Sequence, residues 1–258
     1  MSLLWRERLV ATLTPERVHL RRESPFWRRA SVADQNLACP DGSEGAEPWR
    51  ASLNFLAPAL DKNVDLAVVL SSHFVRLQLL PWQAELKTRA EWQAYGTFRF
   101  QEIYGSVADA WDIVLSNEPP GRAVMACAVD RALLDALKEL AGERGGRLVS
   151  VQPAFALAWN RHRKSLGAAA GAFVLAEPGR LCAGLCRDGA WFALRNQSVT
   201  EPEAGIGGLL AQQLMLADMP LPVGEVLVVG LDGAALKAAA GLPAGWRLCG
   251  APAKGGTP

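Results

Sequence analysis

Histidine is scarce in this chain, with three in 258 residues, His19, His73 and His162, far apart and in different kinds of segment. No ligand spacing links them, so nothing in the sequence points to a shared metal site. There is no G-x-S-x-G elbow, no Walker loop and no H-E-x-x-H pair, which removes the usual signatures of esterases, P-loop NTPases and zinc proteases. Ser71-Ser72-His73 sets hydroxyl and imidazole side by side, yet neighbours on a strand face opposite ways, so it makes a poor dyad. No run of 18 apolar residues exists, and MSLLWRERLV lacks the long apolar centre of a signal peptide. The expectation is a cytoplasmic chain with no membrane span of its own. Net charge is only +1, which gives no reason to expect nucleic acid as a partner. The arginines near the start, among them Arg17, Arg21 and Arg22, read as solvated strand faces and loop. The five cysteines are odd in number and scattered. Cys182 and Cys186, four apart on an expected strand, face the same side without local partners for zinc, and read as buried small apolar residues.

What is present is an ordinary globular composition, half apolar and about a fifth charged, long enough for one large domain or two small ones. The chain opens with a hairpin, Glu7 to Leu13 and Arg17 to Arg22, around Thr14-Pro15-Glu16. Residues 24 to 48, with CPDGSEGAEP, read as a strand fragment and a mobile loop. A helix follows from Pro48, then a continuous apolar strand over Val64 to Ser71 and an alternating one over His73 to Leu80. Thr88 to Tyr104 spaces Trp92, Tyr95, Phe98, Phe100 and Ile103 as a helix whose aromatic face is expected in the core. Strands at Trp111 to Leu115 and Ala123 to Val129 lead to Asp130, a cap for RALLDALKELAGER, which Gly145-Gly146 ends. Arg147 to Val151 is a strand, and Pro153 opens another helix.

From Ala172 the opening order repeats. Strands at 172 to 177, 180 to 187 and 190 to 195 turn at Glu177-Pro178-Gly179 and Arg187-Asp188-Gly189. A helix near Gly207 to Ala217, the strand EVLVVG, the helix AALKAAAG and the strand WRLCG complete the series, and APAKGGTP is a frayed tail. The fold class read from this is mixed α/β.

Two meander-plus-helix blocks, the second ending in strand, glycine and helix, resemble the actin-like ATPase superfamily with its ribonuclease H-like fold. The resemblance is to the PilM-like and GspL-like proteins of type IV pilus and type II secretion assembly. It is carried by VATLTPERVHLRR, by VLAEPGRLCAGLCRDGAWFALR, by VLVVGLDGAALKAA and by LAVVLSSHFVRLQLLPW between them. It implies two related subdomains: residues 1 to 165 with inserted strands and helices, and residues 166 to 250, followed by a flexible tail at 251 to 258.

The same resemblance implies where a nucleotide would sit, and the residues there depart from the pattern. A phosphate hairpin needs glycines that let backbone N–H groups close on anionic oxygens, with a carboxylate to position metal-bound water. The first matching turn, Ala11 to Glu16, has neither aspartate nor glycine, and Pro15 removes a donor. The second keeps one glycine, Gly179, with Glu177 as the carboxylate, Arg180 as a phosphate contact and Pro178 costing another donor. The third, Gly230-Leu231-Asp232-Gly233, keeps its glycines, but strand-glycine-helix is common to α/β domains. Gly207-Gly208 suits either anion binding or tight packing. If nucleotide binds, Glu177, Gly179, Gly230, Asp232 and Gly233 are the residues that hold it. No catalytic residue, no metal ligand and no cofactor is assigned.

Nine tryptophans are many for this length, and tryptophan favours cores and interfaces. Those in loops or at element edges, Trp27, Trp49 and Trp82, with Phe26 beside Arg28-Arg29, are the candidates for a partner-binding surface. The resemblance implies a non-catalytic cytoplasmic scaffold or assembly component that binds a protein or peptide of a pilus or secretion machine, recruited to the inner membrane by that partner. The other reading is an ATP-binding enzyme of the same superfamily, an ATPase or sugar-kinase-like protein. A plain adaptor that self-associates through strand edges is also left open.

Overall fold

A computed structural model describes residues 7–23, 35–39, 47–166, 170–217, 223–231 and 241–249. In chain order the elements are β1 (Arg8–Leu13), β2 (Arg17–Glu23), β3 (Gln35–Ala38), α1 (Arg50–Ala59), β4 (Asp65–Leu70), β5 (Val75–Leu80) and α2 (Arg89–Tyr104). There follow β6 (Trp111–Leu115), β7 (Val124–Asp130), α3 (Arg131–Glu143), β8 (Leu148–Pro153) and α4 (Ala154–His162). The last are β9 (Ala170–Glu177), β10 (Arg180–Arg187), β11 (Ala190–Ser198), α5 (Pro202–Leu216), β12 (Gly224–Val229) and β13 (Trp246–Leu248). They divide into two compact units, residues 1–75 with 129–154 and residues 76–128 with 155–258.

The first unit is built on a five-stranded sheet of order β3-β2-β1-β4-β8. Its first three strands form an antiparallel meander, and β4 and β8 join parallel to β1. β4 is buried along its whole length, which explains its unbroken apolar run: a central strand covered on both faces needs no polar alternation. α1 is tied to the first hairpin by Ser52, whose buried hydroxyl donates to the Thr14 carbonyl at 2.7 Å. Asp130 caps α3 as its position predicts, accepting from the Ala132 N–H at 2.9 Å. Gly146 is fixed by a close approach, because a Cβ there would stand 2.0 Å from the Val64 carbonyl oxygen.

The second unit carries a sheet of order β11-β10-β9-β12-β13. Here too the first three strands are an antiparallel meander and the next two run parallel to the first. Its core gathers Val174, Leu181, Leu185, Leu210, Val226 and their neighbours between the sheet and α5. α5 starts at Pro202, earlier than hydropathy alone suggests, because proline is pre-set for a first helical position and its missing N–H costs nothing there. A three-stranded sheet, β5-β7-β6, belongs to the same unit and is covered by α2. α2 begins with a capping box in which Thr88 and Glu91 each bind the other's backbone N–H. The backbone N–H groups of Thr88 and then Lys87, both donating to the Glu91 carboxylate, hold it below its ordinary pKa.

The expected aromatic face of α2 needs correction. Phe100 is fully buried and Trp92 and Tyr95 are half-buried, but Phe98 and Ile103 are 58% and 57% exposed. At about 100° per residue, Phe98 lies roughly 200° round the helix from both Gly96 and Phe100, the two positions that face the sheet. Within the 24 to 48 stretch, β3 pairs antiparallel with β2, from Arg17 opposite Ala38 to Leu20 opposite Gln35. The expected mobile loop, the helix AALKAAAG and the frayed tail lie outside the described residues.

Candidate functional site

The first turn of interest joins β1 to β2. The Thr14 N–H donates to the Arg17 carbonyl at 2.9 Å and the Arg17 N–H donates to Thr14 Oγ1 at 3.0 Å. Pro15 has no N–H and is buried. Three of the turn's four backbone positions, Thr14, Pro15 and Arg17, thus offer a phosphate no N–H. The residues present do not fit a triphosphate at this position.

The second turn, Glu177 to Arg180, closes β9 on β10 with Glu177 directly opposite Arg180. Gly179 has φ of 72°, and proline followed by a left-handed glycine is the chemistry of a type II turn. The Gly179 carbonyl accepts from the Val199 N–H at 3.0 Å. Glu177 is buried at 8% exposure. The Arg180 guanidinium lies along β11, donating to Asn196 Oδ1 at 3.3 Å and Ser198 Oγ at 3.0 Å. Burial, followed by the nearby Arg76 charge, lowers its pKa. The Arg180 side chain is thus engaged with β11, and Glu177 is buried at the end of β9.

Gly230 ends β12 with φ of 98°, and a Cβ there would stand 2.0 Å from the Ala176 carbonyl oxygen. Its glycine is demanded by strand packing whether or not a ligand is bound. Gly207 is inside α5 and not at its start, and a Cβ there would meet the Gly241 carbonyl oxygen at 2.2 Å, so this glycine serves tight packing, while a Cβ at Gly208 would meet nothing within 4 Å. Asp232 and Gly233 lie outside the described residues, as do Phe26 and Trp27. Among the described residues no three His, Cys, Asp or Glu side chains come together in a way that could hold a metal ion.

The two remaining aromatic candidates part company. Trp49 is 4% exposed, its indole N–H donating to Asp130 Oδ2 at 3.3 Å and its ring lying under Arg50. It is a core residue of the first unit and not surface, because its N–H finds a partner on the cap of α3. Trp82 is half-buried, with its ring centroid 5.4 Å from that of Trp92. It lines a small cleft of about 220 Å³ and also the end of a larger groove of about 670 Å³. Cys182 and Cys186 are buried, as four-residue spacing on one strand face requires, and burial raises both thiol pKa values, that of Cys186 to about 11.

The larger groove was not nominated by any sequence motif. It lies in the second unit, with Leu77, Gln78 and Leu79 of β5 on one side and Phe192 to Arg195 of β11 on the other. Ile103 of α2 and Leu216 of α5, exposed at 57% and 70%, also line it. A bulge re-aims β11 here, since Cys186 pairs with Trp191 and Leu185 with Ala193, leaving Phe192 without an opposite residue. Three buried polar atoms along the lining, Gln78 Nε2, Arg99 Nε and Gln213 Oε1, have no hydrogen-bond partner among the described residues. Buried polar atoms are normally satisfied, so three unsatisfied ones on one groove call for a reason. Another cavity in this unit, of about 700 Å³, places Arg122, Arg163 and Lys164 with Glu118 and Asp188 near the Trp159–Trp191 pair. Arg122 there donates to the Asp188 and Gly189 carbonyls of the β10–β11 turn. The signal that sequence reading could have used for the groove is small: Ile103 follows the polar pair Gln101-Glu102 near the end of α2, and Arg195 follows the apolar run 190–194 within β11.

No protein-family model matches the sequence, and no curated relative is found. Solved structures do match. The PilM–PilN type IV pilus biogenesis complex superposes with a TM-score of 0.61 at 14% identity, over 93% of this chain and 87% of that one. The cytoplasmic domain of EpsL, an inner membrane component of the type II secretion system of Vibrio cholerae, gives 0.57 at 11% identity, over 94% and 85%. A Bacteroides thetaiotaomicron protein with actin-like ATPase fold and unknown function gives 0.57 at 12%, over 90% and 86%. At these identities the likeness is one of fold: this chain, with its two sheets of meander and parallel strands, has the actin-like fold.

Proposed function

We propose that this protein is a non-catalytic scaffold, an assembly component of a type IV pilus or type II secretion-like machine that binds a protein or peptide partner. The observation that carries the reading is the first hairpin, whose Thr14 and Arg17 N–H groups are engaged within the turn and whose second position is Pro15. A nucleotide enzyme of this fold depends on such a turn for its phosphates. The fold shared with the PilM–PilN complex and the EpsL cytoplasmic domain supports the choice of machine. Among the described residues no helix is long and apolar enough to cross a membrane.

Calorimetric titration with ATP and magnesium, run beside Glu177→Ala, tests the reading. A flat titration for both proteins is expected. Saturable binding that is lost in Glu177→Ala would replace the scaffold with an ATP-binding enzyme.

A further inference from the structure

Resting on that scaffold reading, we propose that the groove between β5 and β11 is the docking site for an extended, apolar and acidic segment of a partner protein, laid in as an added strand. Among the described residues β5 and β11 are edge strands of separate sheets, so each has one side on which no strand is bonded. Edges of this kind are templates for an incoming strand, which gains main-chain hydrogen bonds from the edge and specificity from alternate side-chain pockets.

The three unsatisfied atoms, Gln78 Nε2, Arg99 Nε and Gln213 Oε1, are covered by protein and lie beneath the groove surface, so the occupant is recognised through the strand edges and the lining side chains. The apolar lining, Leu77, Leu79, Phe192, Ile103 and Leu216, asks for apolar side chains on one face of the segment.

Charge decides the rest. The charged side chains lining the groove among the described residues are Arg99 and Arg195, with no carboxylate. Arg99 is shared with Glu102, whose carboxylate accepts from its Nη1 at 2.5 Å, while Arg195 is exposed. A cation on an apolar groove with no lining carboxylate selects an acidic occupant over a basic one. The other large cavity of this unit mixes both signs and makes no such selection.

Panning random decapeptides displayed on phage against the full chain tests the assignment, with Arg195→Glu and Ile103→Glu run in parallel. Both substitutions fall on exposed side chains, so the fold should be kept, and matching far-ultraviolet circular dichroism checks it. The wild type is expected to enrich peptides that alternate apolar residues with Asp or Glu. Arg195→Glu should turn that preference toward Lys or Arg, and Ile103→Glu should weaken the best wild-type peptide about tenfold or more. Hydrogen exchange should slow at 77–79 and 191–195 when that peptide is bound. Absence of enrichment, or the same peptides retained equally by all three proteins, overturns the assignment. If a pilus or secretion partner is instead retained unchanged by both variants, the groove assignment fails and the scaffold reading stands. Saturable ATP binding that depends on Glu177 would remove the scaffold reading itself.

Discussion

The two five-stranded sheets have the same strand order and the same pattern of antiparallel and parallel pairs, yet the turns that close their first hairpins are chemically unrelated. One is Thr-Pro-Glu with a threonine side chain folded back on its own backbone; the other is Pro-Gly with a left-handed glycine. A central strand such as β4 or β9 is specified by continuous burial, which many apolar sequences satisfy. A phosphate-binding turn is specified by particular N–H groups, which one proline abolishes. The architecture can therefore persist after the chemistry has gone.

Glycine substitutions sharpen this comparison with the largest expected effect. Gly146→Ala in the first unit and Gly230→Ala in the second each force a Cβ to 2.0 Å from a carbonyl oxygen, and each should lower unfolding stability by about 3 kcal/mol. Gly230→Ala should cost about 1 kcal/mol more, because its φ of 98° adds left-handed strain. Urea titrations of the two variants read the difference directly; equal losses would mean that strain at Gly230 contributes nothing.

Helix caps give an intermediate effect. Asp130→Ala removes the cap of α3 and the acceptor of the buried Trp49 N–H, and should cost about 2 kcal/mol. Thr88→Ala breaks one half of the capping box on α2 and should cost about 1 kcal/mol. A reversed order in thermal melts would show that the Trp49–Asp130 bond adds no stability to the first unit.

The smallest effect is on pH dependence. Burial raises Cys127 to about 12 and Cys186 to about 11 from an ordinary 9.0. In the unfolded chain these thiols ionise first, so their protonated, buried form supports folding below pH 9 and that support fades as pH climbs toward 11 and 12. The urea midpoint should be lower at pH 10 than at pH 8, and Cys127→Ala should lose less between the two. An unchanged fall in Cys127→Ala would place the dependence on other groups.

Much of the architecture was legible because it rests on local signals. The apolar run of β4, the Asp130 cap and the Arg187-Asp188-Gly189 turn, with φ of 51° and 72° at its two central residues, each carry their geometry in a few neighbouring residues. The candidate site was less legible. Trp49 sits beside proline in what reads as a loop edge, yet it is buried and its N–H bonds a residue 81 positions away. The groove draws on β5, α2, β11 and α5, which no window of sequence places together. Gln213 is buried in α5, and its Nε2 donates to the carbonyl of Ala183 on β10, 30 positions away.

The bulge in β11 has a consequence for how far any neighbour could extend. Strand pairing propagates only while both backbones keep step, and at Trp191 to Ala193 this one takes an extra stride. A visiting segment in register beyond the bulge falls out of register before it, so the edge accepts a short guest and is a poor seed for open-ended stacking of chain upon chain.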